Sequence, residues 1–135
     1  MTPPLRQSDY RTLARFRHRL RVFHRFSEDA ARAAGLTPAH HQLLLAVKGY
    51  DGEGAPSARE IADVLQLKLH STVELVNRAS AAGLLRRRPD PSDGRRQLFA
   101  LTPLGERKLA DLSVIHREEL RRFRVELDAV LRDLD

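Results

Sequence analysis

REIADVLQLKLHSTVELVNRASAAGLLRR, residues 59–87, and its continuation RPDPSDGRRQLFALTPLG, residues 88–105, decide the fold. Ser57-Ala58-Arg59-Glu60 has the S-x-x-E pattern of a capping box ahead of Ile61, Ala62, Val64 and Leu65, which predicts a short helix over 57–65. After Gln66-Leu67-Lys68 a second helix runs from about Leu69 to Ala82, where Gly83 ends it. Leu84–Arg88 and Gln97–Leu101 are short segments separated by Pro, Asp, Ser and Gly, so they read as a β-hairpin with a long basic tip. Two short helices joined by a tight turn and followed at once by a hairpin describe a winged helix-turn-helix.

Working outward, Thr37-Pro38 is an N-cap with proline at the first helical position, opening a helix to about Tyr50 with Leu43, Leu44 and Val47 facing a core. DGEGAP, residues 51–56, is a loop. Upstream, Tyr10, Leu13, Phe16, Leu20, Phe23, Ala30 and Ala34 follow 3- and 4-residue steps, the stripe of one long amphipathic helix over 9–34 that Gly35 stops. Downstream, Thr102-Pro103 repeats the cap, and Leu109, Leu112 and Ile115 lead into Leu120, Phe123, Leu127, Val130 and Leu134. The fold class is mainly α with a small β-wing. The chain reads as a single domain, 1–135, with a winged lobe over 36–105 and terminal helices over 1–35 and 106–135. At ~1.5 Å per residue the first helix is about 39 Å long, more than a small lobe can cover. Pairing with a second copy through Leu13, Phe16, Leu20, Phe23, Leu120, Phe123, Leu127 and Val130 buries both stripes; the bland alternative is that the two helices cover only each other.

The 135 residues carry 24 Lys+Arg against 18 Asp+Glu, a net charge of +6. Part of that excess is compositional, so the placement of the arginines matters more than their number. Arg86, Arg87, Arg88, Arg95 and Arg96 against Asp90 and Asp93 concentrate +3 on the hairpin. Such a wing can lay guanidinium groups on phosphates or into a narrow minor groove. The arginines of the first helix lie opposite its apolar stripe and form a solvated face. A basic excess points to nucleic acid or an anionic membrane surface. Aromatic residues at only 5% of the chain argue against base-stacking single-strand binders, which within nucleic acids favours double-stranded DNA.

On a helical wheel of the fourth helix, Leu69, Thr72, Val73, Val76 and Ala79 point one way, with Leu75 at the margin. His70, Ser71, Glu74, Asn77 and Arg78 fall opposite, a face able to reach base edges or phosphates. Together with Thr72 these are the candidate DNA contacts of the helix. Glu74 is awkward beside phosphates unless it accepts from cytosine or pairs with Arg78.

These residues resemble the MarR family of winged-helix transcription regulators over about 9–132. Leu36-Thr37-Pro38 looks like the start of the family's second helix, and Arg59–Arg87 like its helix-turn-helix and first wing strand. Asp93-Gly94-Arg95, followed by Leu101-Thr102-Pro103-Leu104-Gly105, matches the D-x-R…L-T-x-x-G wing signature, the most specific element. The resemblance implies a homodimer on a pseudo-palindromic operator, with the fourth helix in the major groove. It also implies Arg95 in the minor groove, Asp93 as its orienting partner, and repression relieved by a small aromatic or phenolic effector bound between the dimerisation and DNA-binding parts. Glu74 and Gly94 depart from residues common in the family, and the absence of cysteine excludes its oxidation-sensing branch.

Other classes fit less well. No disulfide or thiolate site is available without cysteine. His18, His24, His40, His41, His70 and His116 show no ligand spacing, and adjacent His40 and His41 point about 100° apart on a helix. No metal or other cofactor is expected, although His41 is a candidate lining residue of an effector cavity. There is no G-x-S-x-G, P-loop or G-x-G-x-x-G, so no enzyme is expected. No apolar run reaches the ~18–20 residues of a spanning helix, and MTPPLRQSDYR lacks the apolar core of a signal peptide; a cytoplasmic protein with no membrane partner is expected. Two alternatives stay open: a winged protein-interaction module without DNA binding, and a metal-responsive regulator.

Overall fold

The capping signals hold up in a computed structural model of the chain, which describes residues 1–132 and 134. The expected C-terminal limit at residue 135 lies outside the described residues. The elements are α1 (Gln7–Ala33), α2 (Pro38–Lys48), α3 (Ala58–Leu65), α4 (Leu69–Ala81), β1 (Leu85–Asp90), β2 (Asp93–Leu101) and α5 (Pro103–Leu131). Thr37 Oγ1 accepts the His40 N–H at 3.0 Å and Thr102 Oγ1 accepts the Gly105 N–H at 3.1 Å, so both Thr-Pro pairs cap helices. At α3, the Glu60 carboxylate accepts the Ser57 N–H at 3.2 Å. Gly35 and Gly83 take left-handed φ of 78° and 76° directly after α1 and α4, the conformation that turns a chain out of a helix at least cost.

Gln66 takes the same conformation, φ 56°, between α3 and α4. Its side-chain amide donates to Asp63 O at 2.7 Å, which keeps this turn tight without a glycine.

The core sits where α2, α3, α4, the wing base and the first turns of α5 converge. Leu43, Leu44, Ile61, Val76, Leu85, Phe99, Leu101, Leu109 and Leu112 are buried there. Each such aliphatic side chain contributes about 2 kcal/mol on leaving water. The L-T-x-x-G element locks this junction. Thr102 N–H donates to Leu84 O at 3.1 Å, and its hydroxyl donates to Gly83 O at 2.5 Å. Gly105 packs so closely on Leu84 O that a Cβ would collide with backbone, so the signature glycine is a steric requirement of the wing-to-α5 joint.

The terminal helices are different. Of α1 only Thr12, Ser27 and Ala31 are buried, and of α5 only Gly105, Leu109 and Leu112, near its start. The two helices do pack on each other. The rings of Phe23 and Phe123 lie 5.1 Å apart, and Arg19 pairs with Glu126 at 3.0 Å. Phe16, Leu20, Leu127 and Val130 are half-buried, while Leu13 and Leu120 remain 53% and 54% exposed. The expected stripe thus divides into residues covered within the chain and residues left open. Val22, Val114 and Val125, outside that stripe, are open as well. No described helix is long and apolar enough to cross a membrane.

Candidate nucleic-acid interface

The outer face of α4 carries His70, Glu74, Asn77 and Arg78 exposed, with Ser71 half-buried. Two expectations need correction. Thr72 is fully buried, and its hydroxyl donates to Lys68 O at 3.1 Å, so it supports the start of the helix and cannot contact a ligand. Leu75 is 5% exposed and belongs to the core, whereas Leu69 and Val73 are 42% and 40% exposed. The buried arc centres on Thr72, Leu75, Val76 and Ala79, because the core reaches only that side of the helix. Leu69 and Val73 fall at its edge and, with Phe99, line a groove of about 360 Å³ between α4 and the wing. Glu74 makes no ion pair with Arg78 or with any other described residue. Arg78 lies towards α2 instead: burial first, and then the Arg78 charge, hold the His40 imidazole below its ordinary range.

The wing is a two-stranded antiparallel sheet in which Leu85 pairs with Leu101, Arg87 with Phe99 and Pro89 with Gln97. The expected long tip is a short one, because pairing continues to Asp90 and Asp93 and leaves only Pro91-Ser92 between the strands. Asp90 accepts from the Ser92 N–H at 2.9 Å and from its hydroxyl at 2.8 Å. These bonds, aided by the Arg88 charge, hold its carboxyl below the usual carboxylate range and close the turn.

The five wing arginines separate into two groups. Arg87 donates to Asn77 Oδ1 at 2.8 Å and to Ser80 Oγ at 3.3 Å, with its guanidinium 5.6 Å from the centre of the Phe99 ring. Arg96 donates to the Glu60 carboxylate on α3 and lies 3.8 Å from Asp90. Arg86, Arg88 and Arg95 are exposed and have no ion-pair or hydrogen-bonded side-chain partner among the described residues. Asp93 does not hold the Arg95 guanidinium as expected. Its carboxylate accepts the Arg95 backbone N–H at 3.1 Å, the contact an Asx turn makes two residues on. The partnership of Glu60 with Arg96 was invisible in sequence, where Glu60 read only as a capping residue.

A second group of polar residues lies where α1, α2 and α5 meet. His116 Nδ1 donates to Leu112 O at 2.8 Å, so its Nε2, 2.9 Å from Ser27 Oγ, accepts the Ser27 hydroxyl when the ring is neutral. The His41 ring lies 4.7 Å from that of His116, with Phe26 and Phe23 at 5.4 and 6.4 Å from the same ring. His41 is 2% exposed, and its Nδ1 has no partner. Burial, and then proximity to His116, push its pKa below the ordinary 6.5. Among the described residues no three His, Asp or Glu side chains converge as a metal set would.

The comparisons agree with this geometry. Residues 34–96 match the family model described as MarR family. No sequence relative matches the chain among curated proteins. AbsC, a MarR family transcriptional regulator from Streptomyces coelicolor, is 20% identical with a TM-score of 0.76, over 98% of this chain and 95% of its own. MepR of Staphylococcus aureus, solved in complex with DNA, is 18% identical with a TM-score of 0.71, over 92% and 86%. CouR from Rhodococcus jostii RHA1, solved with p-coumaroyl-CoA bound, is 25% identical with a TM-score of 0.56, over 78% and 64%. Residues 34–96 are thus similar to the MarR family, and the chain as a whole has the winged helix-turn-helix fold seen in AbsC and MepR.

Proposed function

We propose that the chain is a sequence-specific regulator of transcription that binds duplex DNA as a homodimer and represses until a small ligand releases it. The observation that carries this reading is the group of three unpaired arginines, Arg86, Arg88 and Arg95, on a wing set beside the exposed polar face of α4. Guanidinium groups that make no ion pair or side-chain hydrogen bond among the described residues are available to phosphates, and a helix of this width fits a major groove. Ser71, Asn77 and Arg78 read or frame the site, and Arg95 anchors the wing in the minor groove. Glu74, without an ion pair among the described residues, suits acceptance from a cytosine amino group. The open residues of α1 and α5, Leu13 and Leu120 among them, supply the contact with a second copy. Two lobes then meet half-sites about one helical turn, ~10 bp, apart. The DNA-bound MepR structure supports the first partner, and the ligand-bound CouR structure supports an effector. In this reading the aromatic and histidine side chains around His41 and His116, where α1, α2 and α5 meet, are the candidate effector contacts. The chain works in the cytoplasm, as a regulator without enzymatic activity.

Two experiments test this. Selection of bound duplexes from genomic fragments should enrich a palindrome, and phenolic ligands should reduce the enrichment. Arg95→Ala should weaken binding across sequences and lower the salt slope by about one phosphate contact. A failure to enrich any duplex would favour an interaction module, to which the unpaired carboxylate of Glu74 would then belong.

A further inference from the structure

We infer that the wing arginines divide by role: Arg87 and Arg96 are positioning residues that clasp the wing onto α4 and α3, whereas Arg86, Arg88 and Arg95 carry the contacts with DNA. The inference rests on the DNA-binding reading for the second group but not for the first.

Arg96 reaches across 36 residues of sequence to the Glu60 carboxylate and also faces Asp90 at 3.8 Å. Glu60 is itself fastened, because its other carboxylate oxygen accepts the Ser57 N–H at the start of α3. Next to this pair the Phe99 N–H donates to Pro56 O at 2.9 Å, so the same segment ahead of α3 holds β2 by backbone as well. On the opposite strand Arg87 grips Asn77 and Ser80 on α4 and lies over Phe99, its pairing partner in β2. One arginine per strand therefore ties the wing to one helix of the helix-turn-helix.

A two-stranded ribbon is only marginally stable by itself and swings about its base unless something braces it. Bracing fixes the angle at which the unpaired arginines meet a duplex already engaged by α4. A guanidinium that leaves Glu60 or Asn77 for a phosphate must give up charge-assisted or forked hydrogen bonds, whereas Arg86, Arg88 and Arg95 give up none.

Glu60→Gln separates the two roles because they predict opposite signs. Glutamine keeps the capping geometry of α3 but removes the charge that holds Arg96. If Arg96 were a phosphate contact restrained by Glu60, releasing it would tighten binding. As a clasp, its release loosens the wing and weakens binding.

The experiment uses the full chain and a mixed-sequence duplex of about 30 bp, long enough for two half-sites, titrated at several salt concentrations. Arg86→Gln, Arg88→Gln and Arg95→Gln are each expected to lower the salt slope by about 0.9. Arg87→Gln, Arg96→Gln and Glu60→Gln are expected to leave the slope unchanged and weaken binding about threefold, the scale of a partly exposed ion pair. The double variant Glu60→Gln/Arg96→Gln should bind no more weakly than either single one, since both remove one interaction. Tighter binding by Glu60→Gln, or a slope lost in Arg96→Gln, overturns the division.

Amide hydrogen exchange tests the clasp without DNA. The Phe99 N–H should exchange about threefold faster in Glu60→Gln and Arg96→Gln but not in Arg88→Gln, with the Leu44 amide unchanged as a control for folding. Equal Phe99 exchange in all of them overturns the clasp. If no form of the chain binds any duplex, the DNA-binding reading fails, and the exchange measurement decides the clasp alone.

Discussion

Residues 36–105 and the two long helices that flank them treat apolar side chains in opposite ways. In the lobe, Leu43 and Leu44 are fully buried and Ile61 and Val76 are 1% exposed. Along the helices, Leu13, Leu120 and Val125 are 53%, 54% and 66% exposed although they lie on elements of 27 and 29 residues. The lobe closes its core from three short helices, a hairpin and the first turns of α5 because these cross at close range. Two helices lying along each other bury only the line where they touch. Phe23 and Phe123 occupy that line, and Leu13, Leu120 and Val125 lie outside it and stay open. Stability of the lobe and association through the helices should therefore be separable properties.

The largest expected effect breaks the lobe. Leu44→Ala should cost about 3 kcal/mol in urea unfolding, since the side chain is fully enclosed and leaves a cavity. Gly105→Ala should cost about 2 kcal/mol by the same measurement, because its Cβ meets Leu84 O and the wing joint must shift. A Gly105→Ala protein as stable as wild type would show that α5 is not locked to the wing. On the other side of the comparison, Leu13→Arg/Leu120→Arg should weaken self-association at least tenfold (about 1.4 kcal/mol) in sedimentation while leaving the lobe's unfolding midpoint nearly unchanged. Sedimentation identical to wild type would mean that these open residues do not meet a second copy.

Acid should act at the seam between the two regions. The folded pKa of His41 is lowered, by burial and then by His116, so the unfolded chain takes up a proton more readily than the folded one. The corresponding stability is present above the ordinary value of 6.5 and is lost as pH falls through the lowered folded value. His41→Phe should lose less melting temperature than wild type between neutral and mildly acidic pH, and an equal loss would place the sensitivity elsewhere. The smallest effect tests the turn inside the lobe. Gln66→Gly relieves a left-handed backbone but adds freedom to the unfolded chain, so its stability should stay within about 0.5 kcal/mol of wild type.

Much of the lobe was legible because its signals are local. Thr37-Pro38, Ser57…Glu60, Gly83 and Thr102-Pro103 each act within one turn of a helix, and each marks a boundary to within one or two residues. The wing tip is shorter than its composition predicts because Asp90, Ser92 and Asp93 are turn-formers that also tolerate strand pairing, and only the partner strand shows where pairing stops. The buried arc of the fourth helix is offset by part of a turn from the one its apolar residues predict. Periodicity places Thr72 on the apolar arc, where it is buried, but does not reveal how wide a core that arc meets, so the marginal Leu75 lies inside while Leu69 and Val73 stay open.

The sequence by itself determined the order of elements, the caps that bound them and the concentration of arginine on the wing, because these depend on neighbours within a few residues. It did not determine what each arginine does. Five arginines on one hairpin look alike in sequence, yet Arg96 meets a carboxylate 36 residues away, Arg87 meets α4, and three make no ion pair or side-chain hydrogen bond among the described residues. Long charged side chains have many rotamers and reach several ångströms, so their partners follow from where distant backbones come to lie. Only the tertiary structure decided that.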